Sequence, residues 1–132
     1  RNPKFCMPSI SNLAYNLRLG YSDHVDPLLV GEQMLSYWQQ ASEKLLNSRE
    51  LIPQDRVIDI KFDELIDEPI KSVHSIFEKF PIKVDEGFEK KIVARIKSKK
   101  SKEGHSYSYK DFFRASGEVE TRFKNYISYF DL

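Results

Sequence analysis

Apolar residues recur along this chain mostly at helical spacing, and prolines, glycines and short polar clusters separate the runs. Pro8 and Ser9 predict the opening of a first helix, because the missing N–H of a proline costs nothing in a first turn. Ile10, Leu13, Ala14 and Leu17 supply its stripe, and Gly20 ends it. Asp26-Pro27, an aspartate cap followed by a proline, predicts a second helix from Leu28 to about Asn47, with Met34, Trp38, Ala41 and Leu45 on one face. Pro53-Gln54-Asp55 reads as a turn. Residues 56–62 then alternate, with Ile60 and Phe62 on one face, which predicts a short β-strand. Residues 63–69 read as a turn or a single helical turn. Ile70, Val73, Phe77 and Phe80 mark a third helix, stopped by Pro81. Asp85 predicts the cap of a fourth helix carrying Phe88, Ile92, Val93 and Ile96, and a basic stretch to Lys102 suits the negative end of its dipole. A loop over 103–109 leads to a last helix from about Gly117, with Val119, Phe123, Tyr126, Ile127 and Phe130.

This pattern gives about five helices and one clear strand. A lone strand leaves its N–H and C=O groups without partners. It pairs with a copy of itself, or its neighbours lie upstream in a longer protein, and the second option fits better. The 132 residues suit one domain, and 40% hydrophobic and 13% aromatic residues are enough for a core. The 21 basic and 20 acidic residues leave a net charge of +1, so global charge points to no nucleic acid or anionic membrane. Cys6 is the only cysteine, which excludes an internal disulfide and paired-cysteine metal sites. His24, His74 and His105 lack ligand spacing, and no metal is expected. No apolar run is long enough to cross a membrane. The compartment stays open between cytoplasm and Golgi lumen.

Arg1-Asn2-Pro3-Lys4, followed by Pro8-Ser9, carries the strongest chemical signal. Arginine offers a planar, permanently charged fork to phosphate oxygens, and a serine hydroxyl near a helix start adds a donor where an anion is already favoured. The spacing resembles the 3'-phosphate-binding segment of sulfotransferases that use the activated-sulfate nucleotide PAPS (3'-phosphoadenosine-5'-phosphosulfate). Further family-like segments follow in order: Asp26-Pro27 with Tyr37-Trp38, the run from Arg56 to Pro69, the helix with Val73, Ile76 and Phe77, and residues 104–113 around His105. Phe62 stands where the family usually has tyrosine, keeping a stacking face and losing a hydroxyl. Phe113 and Arg114 replace a glycine and an apolar residue.

The resemblance implies an α/β protein of P-loop NTPase-like sulfotransferase fold, with residues 1–132 as the C-terminal part of a single domain. It implies sulfuryl transfer from PAPS, as co-substrate, to a hydroxyl or amine of a small-molecule or glycan acceptor. Cofactor contacts are expected from Arg1, Ser9, Phe62 and His105; no catalytic residue is assigned. No Gly-x-x-x-x-Gly-Lys loop occurs, so the 5'-phosphosulfate grip is expected from a missing N-terminal half, and the chain alone should not turn over. Trp38 and Tyr37 are placed in the core rather than on a ligand platform. A crowd of cations, Lys90, Lys91, Arg95, Lys97, Lys99, Lys100 and Lys102, supports a different class of function, a non-catalytic helical module for an anionic partner. No nucleic-acid motif accompanies it.

Overall fold

The computed structural model describes residues 1–83, 87–98 and 108–132. In chain order its α-helices are α1 (Pro3–Leu19), α2 (Pro27–Leu51), α3 (Phe62–Asp67), α4 (Pro69–Lys79), α5 (Phe88–Ser98), α6 (Glu118–Arg122) and α7 (Lys124–Phe130). Short 3-10 turns occupy Gln54–Arg56 and Tyr109–Asp111. The chain divides into two compact units, Arg1–Leu51 with His105–Leu132, and Ile52–Gly104.

The expected α/β architecture is overturned, because the described residues contain helices and no strand. Val57 is extended (φ −134°, ψ 139°), but residues 57–61 form no ladder. Extended backbone becomes a strand only when a neighbour satisfies its polar groups. Phe62, placed in that strand by its alternation, instead opens α3, where the Leu65 N–H donates to the Lys61 carbonyl at 3.0 Å.

The first unit is an antiparallel hairpin of α1 and α2, tied near its turn by Arg18 Nη1 donating to Gln33 Oε1 at 2.6 Å. The Asp26 carboxylate caps α2 by accepting the Leu28 N–H at 2.9 Å, as the Asp-Pro signal predicts. Residues 108–132 return onto this hairpin, α6 against both helices and α7 against α2. The core consists of Met7, Leu35, Phe112, Phe113, Val119 and Phe123. Full burial of such a side chain is worth about 1.5–3 kcal/mol. Tyr15 meets Phe112 edge-on, with ring centroids 6.0 Å apart. The hydroxyl of Tyr109 ties the returning segment together: it donates to the Ala115 carbonyl at 3.2 Å and accepts the Val119 N–H at 3.3 Å. The single last helix read from the sequence is broken at Phe123 into α6 and α7.

The second unit is built from α3, α4 and α5. Ser72 of α4, a buried hydroxyl, donates to the Glu64 carbonyl of α3 at 3.2 Å. Phe77 and Phe88 pack α4 on α5 with ring centroids 5.4 Å apart, and His74 Nε2 meets Glu89 Oε1 at 2.7 Å. No helix among the described residues is long and apolar enough to cross a membrane.

Candidate functional site

The Arg-Asn-Pro-Lys segment is the start of α1. Asn2 is the cap: its Oδ1 accepts the Lys4 N–H at 2.9 Å, and its carbonyl accepts the Phe5 N–H at 3.2 Å. Pro3 takes the first helical position, where its lost donor does not matter. Helix α1 therefore begins five residues before the Pro8-Ser9 start read from the sequence, because Asn2-Pro3 is the stronger cap. Pro8 lies inside the helix, where it removes one hydrogen bond without ending it. Ser9 is consequently in the second helical turn, away from the free N–H groups of the first.

Lys4 reaches across to α6 and binds Glu120 Oε1 at 2.8 Å. The hydrogen bond to Glu120, reinforced by its charge, raises the Lys4 pKa, and the same bond from Lys4, with a backbone hydrogen bond, lowers that of Glu120. This pair fixes the end of α1 from which Arg1 projects.

Arg1 lines a groove of about 300 Å³. Cys6, Met7 and Ile10 of α1 form one wall, Trp38, Ala41 and Leu45 of α2 the other, with Phe123 and Tyr126 also in the lining. Arg1 is the charged member of this otherwise largely apolar set. Ser9 is half-buried on the adjoining strip of α1, about 60° round the helix axis from Cys6 at 100° per residue. Its neighbours one turn away, Phe5 and Leu13, are 64% and 61% exposed. Arg1 and Ser9 thus share one unit, and Ser9 is not among the residues that line the groove. Phe62, half-buried, belongs to the other unit. His105 lies outside the described residues.

The sequence reading did not place Cys6 or Tyr126 at a site, and it put Trp38 and Tyr37 in the core. Both aromatics are instead exposed, 40% and 63%, and they meet edge-on at 5.5 Å. Helical spacing showed that Trp38 shares a stripe with Ala41 and Leu45; it did not show that part of this stripe would border a groove. Among the described residues, no group of histidine, cysteine and carboxylate side chains could hold a metal ion.

A family model described as the sulfotransferase family matches residues 1–86. The chain belongs to the sulfotransferase family. The match takes in Arg1, Ser9 and Phe62 and ends before His105. No curated protein and no solved structure matches the chain. Membership assigns this sulfotransferase a transferase-type activity. The groove beside α1 supplies one permanent cation and an apolar wall, a combination suited to an anion attached to a ring system.

Proposed function

We propose that this sulfotransferase binds PAPS by its 3'-phosphate, gripped by the Arg1 guanidinium and the Ser9 hydroxyl. The sulfuryl group passes to the hydroxyl or amine of an acceptor. The observation that carries this reading is the position of Arg1, just ahead of a capped helix and in the lining of the groove beside it. Because Asn2 occupies the first N–H of α1, an anion here depends on side chains rather than on the bare helix end. Ser9 lies about 10 Å along the axis from the helix start at 1.5 Å per residue, a span that an extended arginine and a phosphate can bridge. PAPS would supply the activated sulfate; the residues of this chain bind and orient its nucleotide end.

Calorimetry with 3',5'-ADP tests the reading. Hydrogen bonds to a charged group are worth about 1.5–3 kcal/mol, so Arg1→Ala should weaken binding by roughly 10- to 100-fold. Ser9→Ala, which removes one hydroxyl donor, should weaken it by a smaller factor, and neither change should alter the thermal midpoint by more than a few degrees. Equal affinity for the parent and Arg1→Ala would remove the 3'-phosphate assignment.

A further inference from the structure

The groove beside α1 has a length and a lining that a phosphate on Arg1 does not use. Met7 and Phe123, 2% and 4% exposed, form its floor. Cys6 and Ile10 of α1 stand on one side, Trp38 and Leu45 of α2 on the other. Between Trp38 and Leu45 comes Ala41, whose single methyl group leaves the depression open. The lined stretch of α1, from Pro3 to Ile10, is about 10 Å long at 1.5 Å per residue. Among the described residues of the lining, Arg1 alone is charged, and it stands at one end of that stretch. The antiparallel course of α2 puts Leu45 toward Arg1 and Trp38 toward Ile10. The walls offer little to a polar ligand, and the Ser42 hydroxyl is already given to the Gln39 carbonyl at 2.7 Å.

We infer that the groove binds a medium-chain carboxylate, with its anionic head on Arg1 and its hydrocarbon chain along the trough to Trp38. Charge complementarity selects the head: a guanidinium at one end, with no second charge in the lining, matches a single carboxylate. The apolar walls select the tail, because each methylene they cover leaves water and needs no hydrogen-bond partner. A volume of about 300 Å³ is at the small end of ligand sites and suits one short chain. The groove lies wholly within the unit of residues 1–51 and 105–132. The carboxylate takes the guanidinium that the nucleotide reading assigns to the 3'-phosphate, so the amphiphile competes with the nucleotide. That competition rests on the nucleotide reading; the groove assignment does not.

Trp38 is the only tryptophan of the chain, so its fluorescence reports on the far end of the groove. Decanoate, added to the full chain below the concentration at which it forms micelles, should shift that emission to shorter wavelength and saturate. Arg1→Ala should weaken decanoate about tenfold or more, the effect of losing a charge-assisted contact. Hexanoate, whose tail is shorter, should also bind the parent about tenfold or more weakly, since fewer methylenes leave water. Ala41→Leu fills the trough and should abolish the response, with a thermal midpoint close to that of the parent. Saturating 3',5'-ADP should displace decanoate. Equal affinity for decanoate and the uncharged decanol, or equal decanoate affinity in the parent and Arg1→Ala, would overturn the inference. So would a dimer in sedimentation that Ala41→Leu dissociates and decanoate does not, which would give the groove to a second copy of the chain. No response to decanoate with 3',5'-ADP binding intact would sink the groove assignment and leave the nucleotide reading standing. Decanoate binding without any 3',5'-ADP binding would do the reverse.

Discussion

At Gly31 the backbone of α2 passes the Phe112 carbonyl so closely that an added Cβ would lie 2.0 Å from the oxygen. The obstacle is backbone, so a methyl group there must push α2 and the Phe112 turn apart, at a cost of about 1–3 kcal/mol. Gly31→Ala should therefore lower the urea midpoint by an amount corresponding to that loss, with an unchanged slope. An unchanged midpoint would show that the close approach is not kept in solution. This glycine was illegible in the sequence, because its own helical backbone makes no demand for glycine; the demand comes from a residue far along the chain. The Lys4–Glu120 pair makes a second residue-scale prediction. The pKa of Glu120 is lowered from 4.5, so its contribution is present above that pH and is lost as pH falls through the folded-state value. The pKa of Lys4 is raised from 10.5, so its contribution is present below that pH and is lost as pH rises through the folded-state value. Thermal melts of the parent and Lys4→Met should differ between those limits and converge outside them. A constant difference across the whole range would assign the effect to packing of the lysine stem.

At the scale of elements, capping chemistry was legible and pairing was not. Asp26-Pro27 starts α2 and Pro81 follows the end of α4, because a cap and a missing N–H act within one turn. The strand over 56–62 failed because alternation specifies two faces but no neighbour, and the same residues lead into the first turn of α3. The break between α6 and α7 at Phe123 was hidden by continuous apolar periodicity, since Phe123 is itself a buried core residue. The start of α1 was misplaced by choosing the second of two prolines. Asn2→Ala tests the corrected start: losing an asparagine cap should destabilise the chain by about 1 kcal/mol. No change in stability would mean that the helix begins further along, as the Pro8-Ser9 pattern suggests.

Over the whole molecule, burial is unequal. Every buried apolar side chain among the described residues belongs to the unit of residues 1–51 and 105–132. Among the described residues of the unit 52–104, Ser72 is buried and the apolar residues are half-buried or exposed. Few buried apolar contacts mean low-energy local opening. Amides of α4 and α5 should exchange with solvent at least about tenfold faster than those at the centre of α2, a gap of 1.4 kcal/mol or more. Uniform protection would show that one cooperative unit opens as a whole. The family assignment was readable in the sequence because short family-like segments follow one another in order from Arg1 onward, and the family match spans residues 1–86. The groove was not readable, because it needs α1, α2 and the returning C-terminal segment together.

The central claim concerns one phosphate and one guanidinium, and a comparison of two nucleotides isolates them. Titrating the parent chain and Arg1→Ala with 3',5'-ADP and with 5'-AMP, which lacks only the 3'-phosphate, should show clear preference for 3',5'-ADP in the parent. That preference should shrink by about 1.5–3 kcal/mol in Arg1→Ala, the worth of a charge-assisted contact. Indifference of the parent to the 3'-phosphate, or a preference that survives the loss of Arg1, would contradict the account.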